Sequence, residues 1–175
     1  KTFKVIESQA DESVFNYIDT ASSRAGIKAI ADKLIGPKIG IVGLGGTGSA
    51  VTELLTRLGV GTISMFDGDP LDPSNVSRVY GSSASDAGRN KAAIAGDSVQ
   101  RMKIGTRVNV HPQHINSESI ALALRDCDVV FGCTDSARPR GILNSLAHQY
   151  LIHLPVCVIF DRTILNQPDL NMSSS

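Results

Sequence analysis

The residues that could do chemistry come in a fixed order along the chain. Gly43, Gly45, Gly46 and Gly48 lie in Gly43-Leu44-Gly45-Gly46-Thr47-Gly48, which fits G-x-G-x-x-G. Asp67 follows nineteen residues after Gly48, and beyond it stand Asn75-x-x-Arg78, Lys91 and Asp135. Glycines of this spacing let a backbone approach a phosphate closely, because no Cβ stands in the way. A helix opening there offers the same phosphate unpaired N–H groups and a partial positive charge. An acid at the tip of the following strand lies near the ribose hydroxyls of a bound nucleotide. Arg78 and Lys91 can clamp phosphate oxygens, and Asp135 can hold Mg²⁺ bridging them.

A frame must hold these groups together. Lys38-Ile39-Gly40-Ile41-Val42 is a short apolar run of the kind buried in a parallel sheet, and it leads into the glycines without a gap. Ala50, Val51, Leu54, Leu55 and Leu58 then recur at helical spacing, and Gly59 stands where a left-handed cap ends a helix. Thr62 to Phe66 reads as the second strand, closed by Asp67. A polar loop with two prolines follows, and residues 81 to 90 continue it as a Gly/Ser/Asp-rich stretch suited to mobility. Lys91 opens a helix with Ala92, Ala95, Val99 and Met102 inward. Arg107 to His111 is a third strand, and Ser117 can cap a helix carrying Ile120, Leu122 and Leu124. Asp128 to Gly132 is a fourth strand, and Asp135 leaves its carboxyl end. Pro139 suits the first turn of the next helix, and Val156 to Phe160 is a fifth strand. Strands alternate with helices, so the expected class is α/β: a Rossmann-like, doubly wound, mostly parallel sheet with helices on both faces.

Composition narrows the function. The 175 residues carry 17 basic and 17 acidic side chains, so no bulk charge draws the chain to nucleic acid or a membrane surface. No apolar run nears the roughly 20 residues that span a bilayer. Cys127, Cys133 and Cys157 form no C-x-x-C pair and read as reduced thiols of a cytoplasmic protein. The four histidines make no metal-like pair on a helix face, and no G-x-S-x-G marks a hydrolase elbow. The start, Lys1-Thr2-Phe3-Lys4, has neither an initiator Met nor a signal-like core after it, which is expected of a longer chain. Residues 1–37 read as a helical N-terminal segment, with Val14, Phe15, Tyr17 and Ile18 at helical spacing and a second helix from about Arg24 to Leu34. Residues 38–175 read as one nucleotide-binding domain.

A glycine motif alone is a weak signal, and it does not choose the nucleotide. An NAD-dependent oxidoreductase would use Gly43 to Gly48 and Asp67 in the same way. It would leave Arg78, Lys91 and Asp135 without a task, whereas a triphosphate needs cations and a second acid around it.

Five stretches in order resemble the ThiF/MoeB family, which shares its adenylation fold with the ubiquitin-activating enzymes. They are Gly43 to Ser49, Phe66-Asp67-Gly68-Asp69, Asn75-x-x-Arg78, Gly88-Arg89-Asn90-Lys91 and Cys133-Thr134-Asp135. The resemblance covers about Pro37 to Phe160. It implies ATP-dependent adenylation of the C-terminal carboxylate of a ubiquitin-like or sulfur-carrier protein ending in Gly-Gly. It also implies that Asp67 holds the ribose, that Asn75, Arg78 and Lys91 bind the phosphates, and that Asp135 binds Mg²⁺. Family members carry an N-terminal arginine that reaches the ATP of a dimer partner, for which Arg24 is the loose match here. Dimerisation through adenylation domains, with an apolar patch around Phe15 and Ile18 to cover, makes a homodimer the expected assembly. The family domain runs on past the fifth strand, so a C-terminal truncation is expected. Non-catalytic scaffold halves of heterodimeric activating enzymes lose the arginine, the lysine and the magnesium acid, and this chain keeps a candidate for each.

Overall fold

The computed structural model describes residues 32–155. Its centre is a four-stranded sheet with β1 (Lys38–Val42), β2 (Thr62–Phe66), β3 (Arg107–His111) and β4 (Val129–Gly132) in the order β3-β2-β1-β4. Every pairing is parallel, with Ile39 opposite Ile63 and Val129, and Met65 opposite Val110. The chain therefore leaves β1 toward one side of the sheet and later returns to its other side. A crevice opens at such a reversal, at the carboxyl ends of β1 and β4.

Among the described residues the sheet is covered by helices α1 (Gly46–Arg57), α2 (Lys91–Met102), the short α3 (Glu118–Ala121) and α4 (Ala137–Tyr150). Alternation along the strands divides the core in two. Ile39, Ile41, Ile63 and Met65 pack with Ala92, Ala95 and Val99 of α2 and with Val51 and Leu55 of α1. On the opposite face Val42, Phe66 and Val130 meet Ala121, Leu124, Leu143 and Leu146. The expected α/β, doubly wound class is what the chain forms.

Several local expectations need correction. The apolar residues that mark α1 are not all the ones it buries: Leu54 and Leu58 are exposed, while Thr52 and Thr56 are buried. Each threonine hydroxyl donates to the carbonyl four residues back, Gly48 O and Thr52 O, both at 2.8 Å, so burial leaves no donor unmet. Gly59 does close α1 with φ +82°, and Val60 N–H reaches back to Leu55 O. Ser117 stands at the N-terminus of α3 but makes no capping bond with its side chain; its hydroxyl pairs with that of Ser119. That helix gives way to a 3-10 turn at Leu122–Leu124, which turns Leu122 outward while Leu124 is buried. The fourth strand starts at Val129, one residue later than expected, although Asp128 still joins β1, donating its N–H to Lys38 O and accepting the Lys38 amide on its carboxylate.

The polar loop between β2 and α2 is anchored rather than loose. Leu71, Val79 and Ile94 form a small buried cluster of their own beneath it. Its two ends are laced together by Leu71 N–H to Arg89 O and Gly88 N–H to Leu71 O. Within residues 81 to 90, Asp86 accepts the amide and hydroxyl of Ser83, and Arg89 bridges Asp86 and Asp97. The expected fifth strand and the apolar N-terminal patch lie outside the described residues. Residues just before that strand already run beside β4, through Val130 N–H to His153 O and Gly132 N–H to Pro155 O.

Candidate nucleotide-binding site

The glycines have separable jobs. Gly43 leaves β1 at φ +88°, a conformation that strains any L side chain, and a Cβ there would meet Cys133 O at 2.8 Å. A Cβ on Gly48 would fall 1.8 Å from Gly43 O, so only glycine lets α1 press this closely on the turn. Gly45 differs from both. It caps α1 from an ordinary extended conformation, and a Cβ there would meet nothing. The amides of Gly46 and Thr47 donate to no acceptor among the described residues. The turn thus leaves an open cradle with free donors, the kind of group an anion can satisfy.

Asp67 fastens this turn to β2. Only 6% exposed, it accepts Leu44 N–H on Oδ2 at 2.6 Å and Asp69 N–H on Oδ1 at 2.8 Å. Asn90 ties the same corner to α2. Its carbonyl caps the helix on Ala92 and Ala93 N–H, while its amide donates to Asp67 O and Asp69 O. Ser49 joins the other side, donating to Gly46 O and accepting Tyr80 N–H.

These contacts frame a cavity of about 330 Å³ at the carboxyl ends of β1, β2 and β4. Its lining includes Gly43, Gly45, Gly46, Asp67, Asn75, Arg78, Lys91 and Asp135, which the sequence had singled out. Gly48 lies behind the wall rather than on it, and Arg24 lies outside the described residues. Arg78 runs its aliphatic stem beside Gly46, where an added Cβ would meet it at 3.5 Å, and is oriented by Asn75 Oδ1 at 2.7 Å and by Ser74 O. Lys91 is 12% exposed and its ammonium sits 3.1 Å from Asp69. His114 Nε2 lies 3.4 Å from the other Asp69 oxygen, with its ring against Gly68. Asp135 is exposed, and its carboxylate makes no hydrogen bond or ion pair among the described residues.

Among the described residues no three histidine, cysteine or acidic side chains gather as a metal cluster. Mg²⁺ does not need one. It is commonly held by one or two carboxylates, substrate phosphates and water, and an uncommitted acid beside a phosphate cradle fits that donor set.

Other lining residues had no role in the sequence reading: Asp69, quoted there only within Phe66-Asp67-Gly68-Asp69, His114 and Arg140. Arg140 carried a signal, since a cation near a helix N-terminus opposes the helix dipole and needs another reason to be there. Cys127 is no nucleophile. Burial and the nearby Asp128 and Asp126 push its thiol up to about 11, so it stays protonated in the core.

The chain is 29% identical over 132 residues to the adenylyltransferase and sulfurtransferase MOCS3 of Drosophila willistoni, covering 75% of this chain and 27% of that protein. It is 27% identical over 140 residues to ubiquitin-like modifier-activating enzyme 5 of Caenorhabditis elegans, covering 74% of this chain and 33% of that one. The chain thus spans about a third or less of these curated relatives. The structure of E. coli tRNA N6-threonylcarbamoyladenosine dehydratase, TcdA, in complex with ATP matches with a TM-score of 0.70 and 26% identity, over 77% of this chain and 56% of that one. The ThiF family model matches residues 20–156, and the chain belongs to the ThiF family.

Proposed function

We propose that this domain adenylates the C-terminal carboxylate of a ubiquitin-like or sulfur-carrier protein at the expense of ATP. One observation carries the reading: Arg78, Lys91 and an uncommitted Asp135 line a single cavity with the open glycine turn. Relatives named as adenylyltransferases and as a ubiquitin-like modifier-activating enzyme support it, as does a structural neighbour solved with ATP.

The reaction asks little of covalent chemistry. A carboxylate oxygen of the carrier bonds to the α-phosphorus, the bond from that phosphorus to the bridging oxygen breaks, and pyrophosphate leaves. No protein nucleophile or proton transfer is required. The obstacle is charge, because an anion approaches an anion, and positioned cations lower that barrier. In this reading residues 45–47 offer backbone amides to a phosphate, Asp67 serves the ribose, and Asn75, bonded to Arg78 at 2.7 Å, holds its fork for the phosphates. Lys91 adds a second positive charge at the start of α2, within reach once its pairing with Asp69 is exchanged for phosphate. Bound Mg²⁺, held by Asp135, would neutralise charge on the phosphate oxygens.

We further propose a homodimer in which Arg24 of one copy serves the site of the other, a Gly-Gly end on the carrier, and a cytoplasmic location. The test is ATP–pyrophosphate exchange with candidate Gly-Gly-ended carriers, beside calorimetric titrations of ATP and NAD. Carrier-dependent exchange and ATP binding are expected. NAD binding in place of ATP would overturn the proposal in favour of an oxidoreductase.

A further inference from the structure

We infer that Arg140 is the positioning residue for Asp135. This rests on the adenylation reading and adds a residue to it. Arg140 sits near the start of α4, and its planar guanidinium spans two successive carbonyls. Nε donates to Thr134 O at 3.0 Å and Nη2 donates to Asp135 O at 2.8 Å. The first turn of α4 carries no acid, so nothing local balances a cation at that positive helix end. The two carbonyls supply the compensation.

Asp135 needs such support. Its carboxylate makes no bond among the described residues, so its aim is set by the backbone alone. The opposite flank of the loop is fixed already: Cys133 N–H donates to Val42 O at 2.8 Å, and Gly43 lies directly against Cys133 O. Arg140 fixes the other flank. It also does this without forming an ion pair with Asp135, which would neutralise the acid. The fork goes to the backbone, and the carboxylate keeps its charge for a cation. Lysine cannot copy this geometry, since a point ammonium on a flexible stem does not hold two carbonyls in one plane.

ATP binding to the full chain, measured by calorimetry with Mg²⁺ and again in chelator, tests the assignment in wild type, Arg140→Gln, Arg140→Lys and Asp135→Asn. Arg140→Gln and Arg140→Lys should each raise the Mg²⁺ concentration needed for half-maximal enhancement by roughly tenfold. Affinity in chelator should stay within about twofold of wild type, and Arg140→Gln should cost nothing more in an Asp135→Asn background. Wild-type Mg²⁺ dependence in both Arg140 variants overturns the inference. An equal loss with and without Mg²⁺ overturns it too, because Arg140 would then touch the nucleotide itself. If the wild type binds no ATP at all, the adenylation reading falls and this inference falls with it. If the glutamine variant unfolds, the lysine variant decides alone.

Discussion

The pocket has a floor and a rim, and they are built on opposite terms. The floor, Gly43 and Asp67 with Gly48 packed behind it, is tied to protein: two glycines pressed against backbone, and an acid with a backbone donor on each oxygen. On the rim, Gly45 faces open space and Asp135 reaches out with no partner among the described residues. The two acids leave the ends of strands that flank β1 on either side, so their difference is not one of topology. A polar group whose bonds are all made by the protein holds shape. A group left unmatched at a concave surface is available to a ligand. Substitutions should separate the two sets.

The largest effect belongs to the floor. Gly48→Ala places a methyl in overlap with Gly43 O and should cost about 4 kcal/mol or more, a large part of a domain's whole stability. Gly45→Ala should change stability by only about 0.5 kcal/mol, yet weaken ATP roughly tenfold by crowding the phosphate. Chemical denaturation and calorimetry read both. Equal destabilisation of the two variants would erase the distinction between floor and rim.

Among the rim groups, Asp135→Ala should abolish Mg²⁺-dependent pyrophosphate exchange and leave the melting temperature in place. Exchange that survives in this variant would move the metal elsewhere. Arg78→Lys keeps a charge but loses the two-pronged fork, so turnover should fall roughly a hundredfold, about 3 kcal/mol at the transition state. A fully active Arg78→Lys enzyme would reduce Arg78 to a surface charge. Asp67→Asn reverses the expected order of damage. It sets an amide NH₂ against a backbone N–H and should cost about 1–3 kcal/mol of stability whether or not ATP is present. A variant as stable as wild type would show that Asp67 does not fasten the turn.

Sequence made the floor legible because it is local. One apolar run, a glycine turn and an acid specify strand, turn, helix and strand within thirty residues, and at Gly43 and Gly48 glycine has a steric reason to be there. The rim depends on residues up to a hundred positions apart, and what each does there turns on tertiary contacts. Nothing in Asn90 announces that it both caps α2 and ties it to Asp67 and Asp69. Nothing in Arg140 shows which carbonyls it holds. The buried face of α1 was misleading for a different reason. Hydropathy ranks Leu54 above Thr52, but a threonine bonded to its own helix is easily buried, and Leu54 faces outward.

The smallest effect is a pH dependence of stability that belongs to the floor. His111 ends β3, and its ring stacks on Phe66, a lining residue of the pocket, with centroids 4.1 Å apart. Burial lowers its pKa from the ordinary 6.5, so folding favours the neutral ring. The unfolded chain then binds more protons than the native one between that ordinary value and the lowered one, so stability rises with pH across the interval. This contribution is fully present above pH 6.5 and is lost as pH falls through the lowered value. Asp72 and Asp86 titrate below the usual carboxylate value, held down mainly by bonds from Ser74 and Ser83, so their contributions are lost only in stronger acid. Denaturant midpoints from pH 7 to pH 5 should therefore fall in wild type and fall less in His111→Gln, because glutamine cannot take up the proton. Rim variants such as Asp135→Ala should keep the wild-type slope. A slope unchanged in His111→Gln would mean that the acid sensitivity of this fold arises elsewhere than beneath the pocket.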